Sequence, residues 1–259
     1  MPTTTFEIDG AFAILTFNRP EARNAMTWEM YEALVAACDR VDEDSSVRAL
    51  ILRGAGRKAF VSGTDISQFR SFSTSNDGIA YEKRLDATLD RLERVGKPTL
   101  AEIDGVAAGG GCAIAICCDL RFATPESTFG VPVARTLGNC LSGATYARLV
   151  DLIGPARVKE LLFTGQLLDA DAALGFGLVN RIVPAEDLSF VVHRTAMEIV
   201  ANAPLTIRAT KEMLRRIAAH RRLSAGADHD LIEMCYSSDD FREGVAAFVD
   251  KRRPRWTGR

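Results

Sequence analysis

Histidine is scarce in this chain of 259 residues: there are three, at 193, 220 and 229, all in the last third. None has a nucleophile near it in sequence, so surface or packing roles are expected, and none lies at zinc-ligand spacing. Six cysteines, at 38, 112, 117, 118, 140 and 235, form no C-x-x-C pair, so neither a metal site nor a disulfide framework is supported. No apolar run reaches the ~20 residues of a membrane span. The start, "MPTTTFEIDG", lacks the charged and apolar regions of a secretory signal. Charge of one sign is lacking too: a formal net charge of −2 gives no case for nucleic acid. A reduced, cytoplasmic setting fits these absences. The chain also has no G-x-x-x-x-G-K-[ST] and no G-x-S-x-G, and position 114 is Ile where a G-x-G-x-x-G site needs glycine.

What is present is ordinary in bulk: 47% hydrophobic and 25% charged residues, enough for one large domain or a core with an appendage. Strands are expected at 3–8 and 11–17, split by the hairpin dipeptide Asp9-Gly10. Further strands are expected at 47–54, 98–105 and 120–124. A helix over 26–44 has Thr27 as its N-cap, and a second amphipathic helix covers 77–95. The stretch 59–69 reads as a short strand, a turn and a helix start. This alternation predicts an α/β core with parallel pairing. From about residue 142 the pattern turns helical, with helices at 154–165, 185–201, 204–220 and 239–252. The expected division is a core over 1–195 and a helical region over 196–259. The basic tail "DKRRPRWTGR" (250–259) reads as solvated rather than as an anion site.

Two turns share one build. "SGTDI" (62–66) and "GGGCA" (109–113) each follow a strand and lead into a helix. Each can present a free backbone N–H to one point, and two such donors on a thioester carbonyl would stabilise an enolate or a tetrahedral anion. On composition alone, structural punctuation is the favoured reading of either turn.

The stretches "LTFNRPEARNAM" (15–26), "AFVSGTDI" (59–66), "IDGVAAGGGCAIAICCDLRFAT" (103–124), "FGVP" (129–132), "LLFTGQLLDADAALGFGLVNRIVP" (161–184), "APLTIRATKEML" (203–214) and "SDDFREGVAAFVDKRRPRW" (238–256) change that balance. In order and spacing they resemble the crotonase superfamily, also called the enoyl-CoA hydratase/isomerase family, over almost the whole chain. The resemblance implies an α/β spiral of ββα units with a helical C-terminal trimerisation region, assembled as a homotrimer or homohexamer. It implies an acyl-CoA substrate, with coenzyme A as part of that substrate and no separate cofactor or metal. Carried over residue by residue, the oxyanion-hole donors would be the N–H groups of Thr64 and Gly110. Ser62, Asp65, Ile66 and Ser67 would line the pantetheine path, Arg23 and Ala25 would lie beside the CoA nucleotide, and Lys251 would reach a CoA phosphate. Asp119 is expected to pin a loop end, and Phe129 and Gly130 to be structural.

The departures from the family pattern bear on the reaction. Family hydratases use two glutamates; here those positions are Ala113 and Val133, which cannot transfer protons. Glu126, in the turn "TPEST", is expected to be exposed. The segment "ARTLGNCLSGATY" (134–146), which lines the acyl end of the pocket in the family, offers Arg135, Thr136, Asn139, Cys140 and Ser142. Loop hydrogen bonding is the expected role of any one of them. As a set they suggest a polar pocket, with Arg135, Asn139 and Ser142 as candidate catalytic groups and Val133 and Cys140 as substrate contacts. The leading expectation is an acyl-CoA enzyme that stabilises a thioester enolate. The alternatives are a malonyl-type acyl-CoA decarboxylase, which forms an enolate without a base, and a catalytically silent CoA-binding protein.

Overall fold

The computed structural model describes residues 2–259. It opens on the expected hairpin, β1 (Thr4–Asp9) and β2 (Phe12–Phe17), with Gly10 at φ +58° in the turn. Helix α1 (Trp28–Glu43) starts where the Thr27 side chain accepts the Met30 N–H at 3.4 Å. Three strand–strand–helix units follow. The first is β3 (Ala49–Gly54), β4 (Ala59–Val61), a 3₁₀ segment (Ile66–Ser71) and α2 (Ser75–Glu93). The second is β5 (Thr99–Ile103), β6 (Val106–Ala108) and α3 (Gly110–Cys117). The third is β7 (Leu120–Ala123), β8 (Thr128–Gly130), α4 (Val133–Thr136) and α5 (Gly143–Thr164). Then come β9 (Leu168–Asp169), α6 (Ala170–Phe176), β10 (Arg181–Ile182), and the helices α7 (Leu188–Val200), α8 (Pro204–Ala219), α9 (His229–Tyr236) and α10 (Asp239–Val249).

The first strand of each unit enters one sheet and the second enters another. The six-stranded sheet runs β1-β2-β3-β5-β7-β10, parallel from β2 onward; the four-stranded sheet runs β4-β6-β8-β9, parallel except at β9. All six residues of β2 are buried, because the larger sheet is covered on both faces. Leu15, Leu50 and Leu52 face the packed helices α1–α3, while Phe12, Ile14 and Ile51 meet Leu188, Val192 and Ala196 of α7.

The helix expected from Pro155 is the second half of α5. The element begins eleven residues' worth of chain earlier, at Gly143, and breaks at Gly154, which takes φ +75° and ψ 160°. Helix α8 buries none of its residues, whereas Ile232, Tyr236 and Phe241 of α9 and α10 belong to the main core and pack on α2 and the 3₁₀ segment. Among the described residues no helix is long and apolar enough to cross a membrane.

Candidate active site

Parallel pairing brings three turns to one sheet edge. The registers Ala59↔Val106, Val61↔Ala107 and Ala108↔Gly130 align the ends of β4, β6 and β8. The turns 62–65, 109–111 and 131–133 therefore leave the sheet side by side. Gly109 N–H donates to the Gly130 carbonyl at 2.9 Å, and Met26 N–H donates to the Gly63 carbonyl at 2.8 Å, which ties the loop after β2 to the first turn.

The three consecutive glycines have three separate reasons. Gly109 takes φ +52° and ψ −122°, a conformation L side chains rarely adopt. Gly111 lets α3 lie on β4, because a Cβ there would collide with the Val61 carbonyl. A Cβ on Gly110 would stand 2.5 Å from Tyr31 Oη, 3.2 Å from Thr64 Oγ1 and 3.6 Å from Thr64 N. Gly110 and Thr64 are thus close neighbours, and among the described residues neither N–H meets a protein acceptor. Thr64 is clamped from its side chain: Oγ1 lies 2.8 Å from Tyr31 Oη and 2.8 Å from Tyr81 Oη. Burial pushes both phenols up, so they remain neutral hydroxyls.

A cavity of about 710 Å³ opens at this edge. Thr64, Gly110, Arg23, Ala25, Ser62, Asp65, Ile66, Ala113, Val133, Asn139 and Lys251 all line it. Arg23 sits at φ +51° in a loop held by Asn24, whose buried amide donates to the Ala55 and Ala59 carbonyls at 3.0 and 2.8 Å. Arg19 donates to the Ala25 carbonyl at 2.6 Å and to Asp65 at 3.1 Å. Partial burial works against ionisation of Asp65, but hydrogen bonds from Ser67 and Arg19 outweigh it and hold the carboxyl below its usual range.

Four residues proposed for the site lie outside the cavity wall. Ser67 N–H and Oγ donate to Asp65 at 3.1 and 2.7 Å, completing the cap of the 3₁₀ segment. Arg135 is exposed, with its Cβ side against Gly165. The Cys140 thiol turns toward Cys235 and the Leu231 carbonyl at 3.6 Å; the neighbouring thiol and burial push it up. Ser142 caps α5, accepting the Thr145 N–H at 3.2 Å and donating to Asp86 at 2.7 Å. Asp119 accepts the Thr99 N–H at 2.7 Å and Lys211 Nζ at 2.6 Å, a pin between strands and α8. Phe129 is fully buried, and Glu126 is exposed.

Tyr31, Tyr81, Glu82 and Tyr236 fall in no sequence motif. Glu82 lines the cavity and is buried; Oε1 accepts Tyr236 Oη–H at 2.6 Å and Oε2 accepts the Ser142 N–H at 3.1 Å. Burial pushes its carboxyl up to about 8. One signal was available: Glu82 falls on the helical stripe that carries Gly78, Leu85, Leu89 and Leu92, a buried face where an acid is out of place.

Residues 7–259 match the family model for enoyl-CoA hydratase/isomerase. A short-chain-enoyl-CoA hydratase of Clostridium acetobutylicum is 34% identical over 95% of this chain and 94% of its own length. The chain belongs to the enoyl-CoA hydratase/isomerase family. Its family fold is shared with a crystal structure of an enoyl-CoA hydratase/carnithine racemase from Magnetospirillum magneticum, at 34% identity and TM-score 0.80, covering 100% of this chain and 97% of that one. A family neighbour with TM-score 0.91 is a methylmalonyl-CoA decarboxylase in complex with 2-nitronate-propionyl-CoA, at 27% identity, covering 100% and 99% of the two chains. Membership of this family makes acyl-CoA thioesters the substrate class against which the cavity is to be read.

Proposed function

We propose that this chain is an enzyme that holds an acyl-CoA thioester with its oxygen between the N–H groups of Thr64 and Gly110 and stabilises the enolate there. One observation carries the reading: Thr64 and Gly110, on adjacent turns and each with an N–H that meets no protein acceptor among the described residues, line one cavity. The phenols of Tyr31 and Tyr81 fix Thr64, so the first donor is preorganised before substrate arrives. Arg23 and Lys251 bring positive charge to the same cavity, suited to CoA phosphates, and Ala25, Ser62, Asp65 and Ile66 suit the pantetheine arm.

A second reading within this one is decarboxylation of a malonyl-type acyl-CoA. Ala113 and Val133 put apolar side chains at the positions where the family pattern calls for the two glutamates. Loss of CO₂ leaves the electron pair on the thioester and needs no base, so an oxyanion hole in a neutral pocket suffices. The likeness to the decarboxylase structure agrees with this reading. Turnover on a panel of crotonyl-CoA, a 3-enoyl-CoA, malonyl-CoA and methylmalonyl-CoA separates hydration, isomerisation and decarboxylation. Binding of propionyl-CoA with no turnover on any of them would mark a silent CoA-binding protein. Absence of both binding and turnover would overturn the proposal.

A further inference from the structure

Glu82 lacks a partner of the kind its neighbours on α2 have. Asp86, Asp90 and Glu93 all lie within 3.6 Å of the Arg148 guanidinium, at 3.6, 2.5 and 3.1 Å. Glu82, one turn earlier and more deeply buried, makes no ion pair among the described residues. The titratable groups around it are Asp86 on its own helix, Asp228, the Cys140 thiol and the phenols of Tyr31, Tyr81, Tyr146 and Tyr236. A buried carboxyl without a cation weakens the fold relative to an apolar residue of similar size. Its place in a cavity wall makes it a candidate functional group.

The local architecture holds this carboxyl in place. Gly78 lets α9 approach α2, because a Cβ there would run into the Tyr236 ring. Tyr236 then donates to Glu82 at 2.6 Å while accepting Asn139 Nδ2–H at 3.0 Å. Asn139 Oδ1 is buried in the cavity wall with no partner. On the other side, Tyr81 leaves α2 one residue before Glu82 and reaches Thr64. Of the other acids lining the cavity, Glu21 is exposed and Asp65 is engaged by Arg19 and Ser67.

We infer that Glu82 carries the proton exchanged with the acyl carbon of the bound thioester, and that Tyr236 and Asn139 position it. This rests on the enolate reading above. In the forward step the carboxyl O–H bond breaks, its proton goes to the acyl carbon, and the enolate electron pair forms the C–H bond as the thioester carbonyl re-forms. In reverse the carboxylate takes the α-proton and the electron pair moves onto the thioester oxygen, between Thr64 N–H and Gly110 N–H. No oxidant, metal or second substrate enters the balance.

The test is exchange of the α-protons of propionyl-CoA in D₂O, followed by mass spectrometry. Wild-type protein should incorporate deuterium faster as pH rises, because the carboxylate is the form that abstracts. Glu82→Gln should slow incorporation by on the order of 10²-fold or more, with propionyl-CoA binding by calorimetry unchanged within a few-fold. Tyr236→Phe removes a hydrogen bond that favours the carboxylate, so the pH profile of exchange should move to higher pH. A folded Glu82→Gln protein that exchanges at the wild-type rate overturns the inference. If Glu82→Gln does not fold, an unmoved pH profile in Tyr236→Phe overturns it. Absence of exchange by wild-type protein that binds propionyl-CoA counts instead against the enolate reading.

Discussion

Tyr31 places its hydroxyl 2.8 Å from Oγ1 of Thr64 and 2.5 Å from the point where a Gly110 Cβ would stand. The phenol therefore fixes the Thr64 turn and fills the space beside the Gly110 turn. Gly110→Ala should crowd that hydroxyl and displace one turn from the other, lowering kcat/KM for acyl-CoA by on the order of 10²-fold, the scale of losing one oxyanion donor. Removing the hydroxyl makes room, so Tyr31→Phe combined with Gly110→Ala should recover part of the loss. Steady-state kinetics on the four proteins of this cycle measures the coupling.

Thr64 satisfies two buried phenols at once. Thr64→Ala leaves both without this partner, and an unsatisfied buried polar group costs about 1–3 kcal/mol. The variant should be less stable by that order in urea unfolding. Thr64→Ser keeps Oγ and should stay close to wild type. Equal losses in the two variants would place the cost in the missing methyl rather than in the hydroxyl network.

Glu82 makes stability depend on pH. Burial pushes its carboxyl up from 4.5 to about 8 in the folded chain. A raised carboxyl binds its proton more tightly when folded, so its contribution is most favourable below the unfolded value. That contribution is lost as pH climbs toward 8, at up to ~1.4 kcal/mol per pH unit. Glu82→Gln cannot ionise and has no such slope. The stability difference between variant and wild type should move in the variant's favour between about pH 5 and 8 and level off above. A difference that stays constant across that range would mean that Glu82 is already ionised in the folded protein.

Helix α8 exposes Leu205, Met213 and Ile217 by 76, 56 and 48%, and none of its residues is buried. Residues 205, 209, 213 and 217 share one face at four-residue spacing, and an apolar stripe of that kind is a contact face. Sedimentation at micromolar concentration should give a trimer or hexamer. Met213→Asp with Ile217→Asp should shift the protein toward smaller species.

The fold was legible where short-range chemistry and apolar period agree: the Asp9-Gly10 hairpin, the Thr27 cap, and the strands that became β3, β5 and β7. Helix α9 was not, because His229–Tyr236 spans eight residues, too few for a period to emerge. That loss carried a cost at the site, since α9 delivers Tyr236 to Glu82. The paired glycine turns could be read from their build, but their adjacency comes from strand register, which no local pattern encodes. The polar segment 134–146 suggested pocket groups by type alone. In the fold Ser142 is drawn into capping α5 and Cys140 into a thiol pair, and of the three proposed catalytic groups there Asn139 is the one in the cavity wall.

Crotonyl-CoA hydration should be slow in the wild-type protein. Adding water across a double bond needs one group to activate the water and one to deliver a proton, and each such group is worth ~10²–10⁴ in rate. Ala113 and Val133 offer neither, and Glu82 accounts for one at most. Ala113→Glu with Val133→Glu should therefore raise the hydration rate, because both positions leave the same sheet edge as Thr64 and Gly110. The gain should come with lower stability: Ala113 is buried, and a carboxyl placed there must be desolvated. Adding Glu82→Gln to that double variant separates the sources of the proton. If the introduced glutamates do the work, hydration survives the third change while α-proton exchange of propionyl-CoA falls. If hydration falls with it, Glu82 serves both reactions. Fast hydration by the wild-type chain would show that the protein positions water without a carboxylate at 113 or 133.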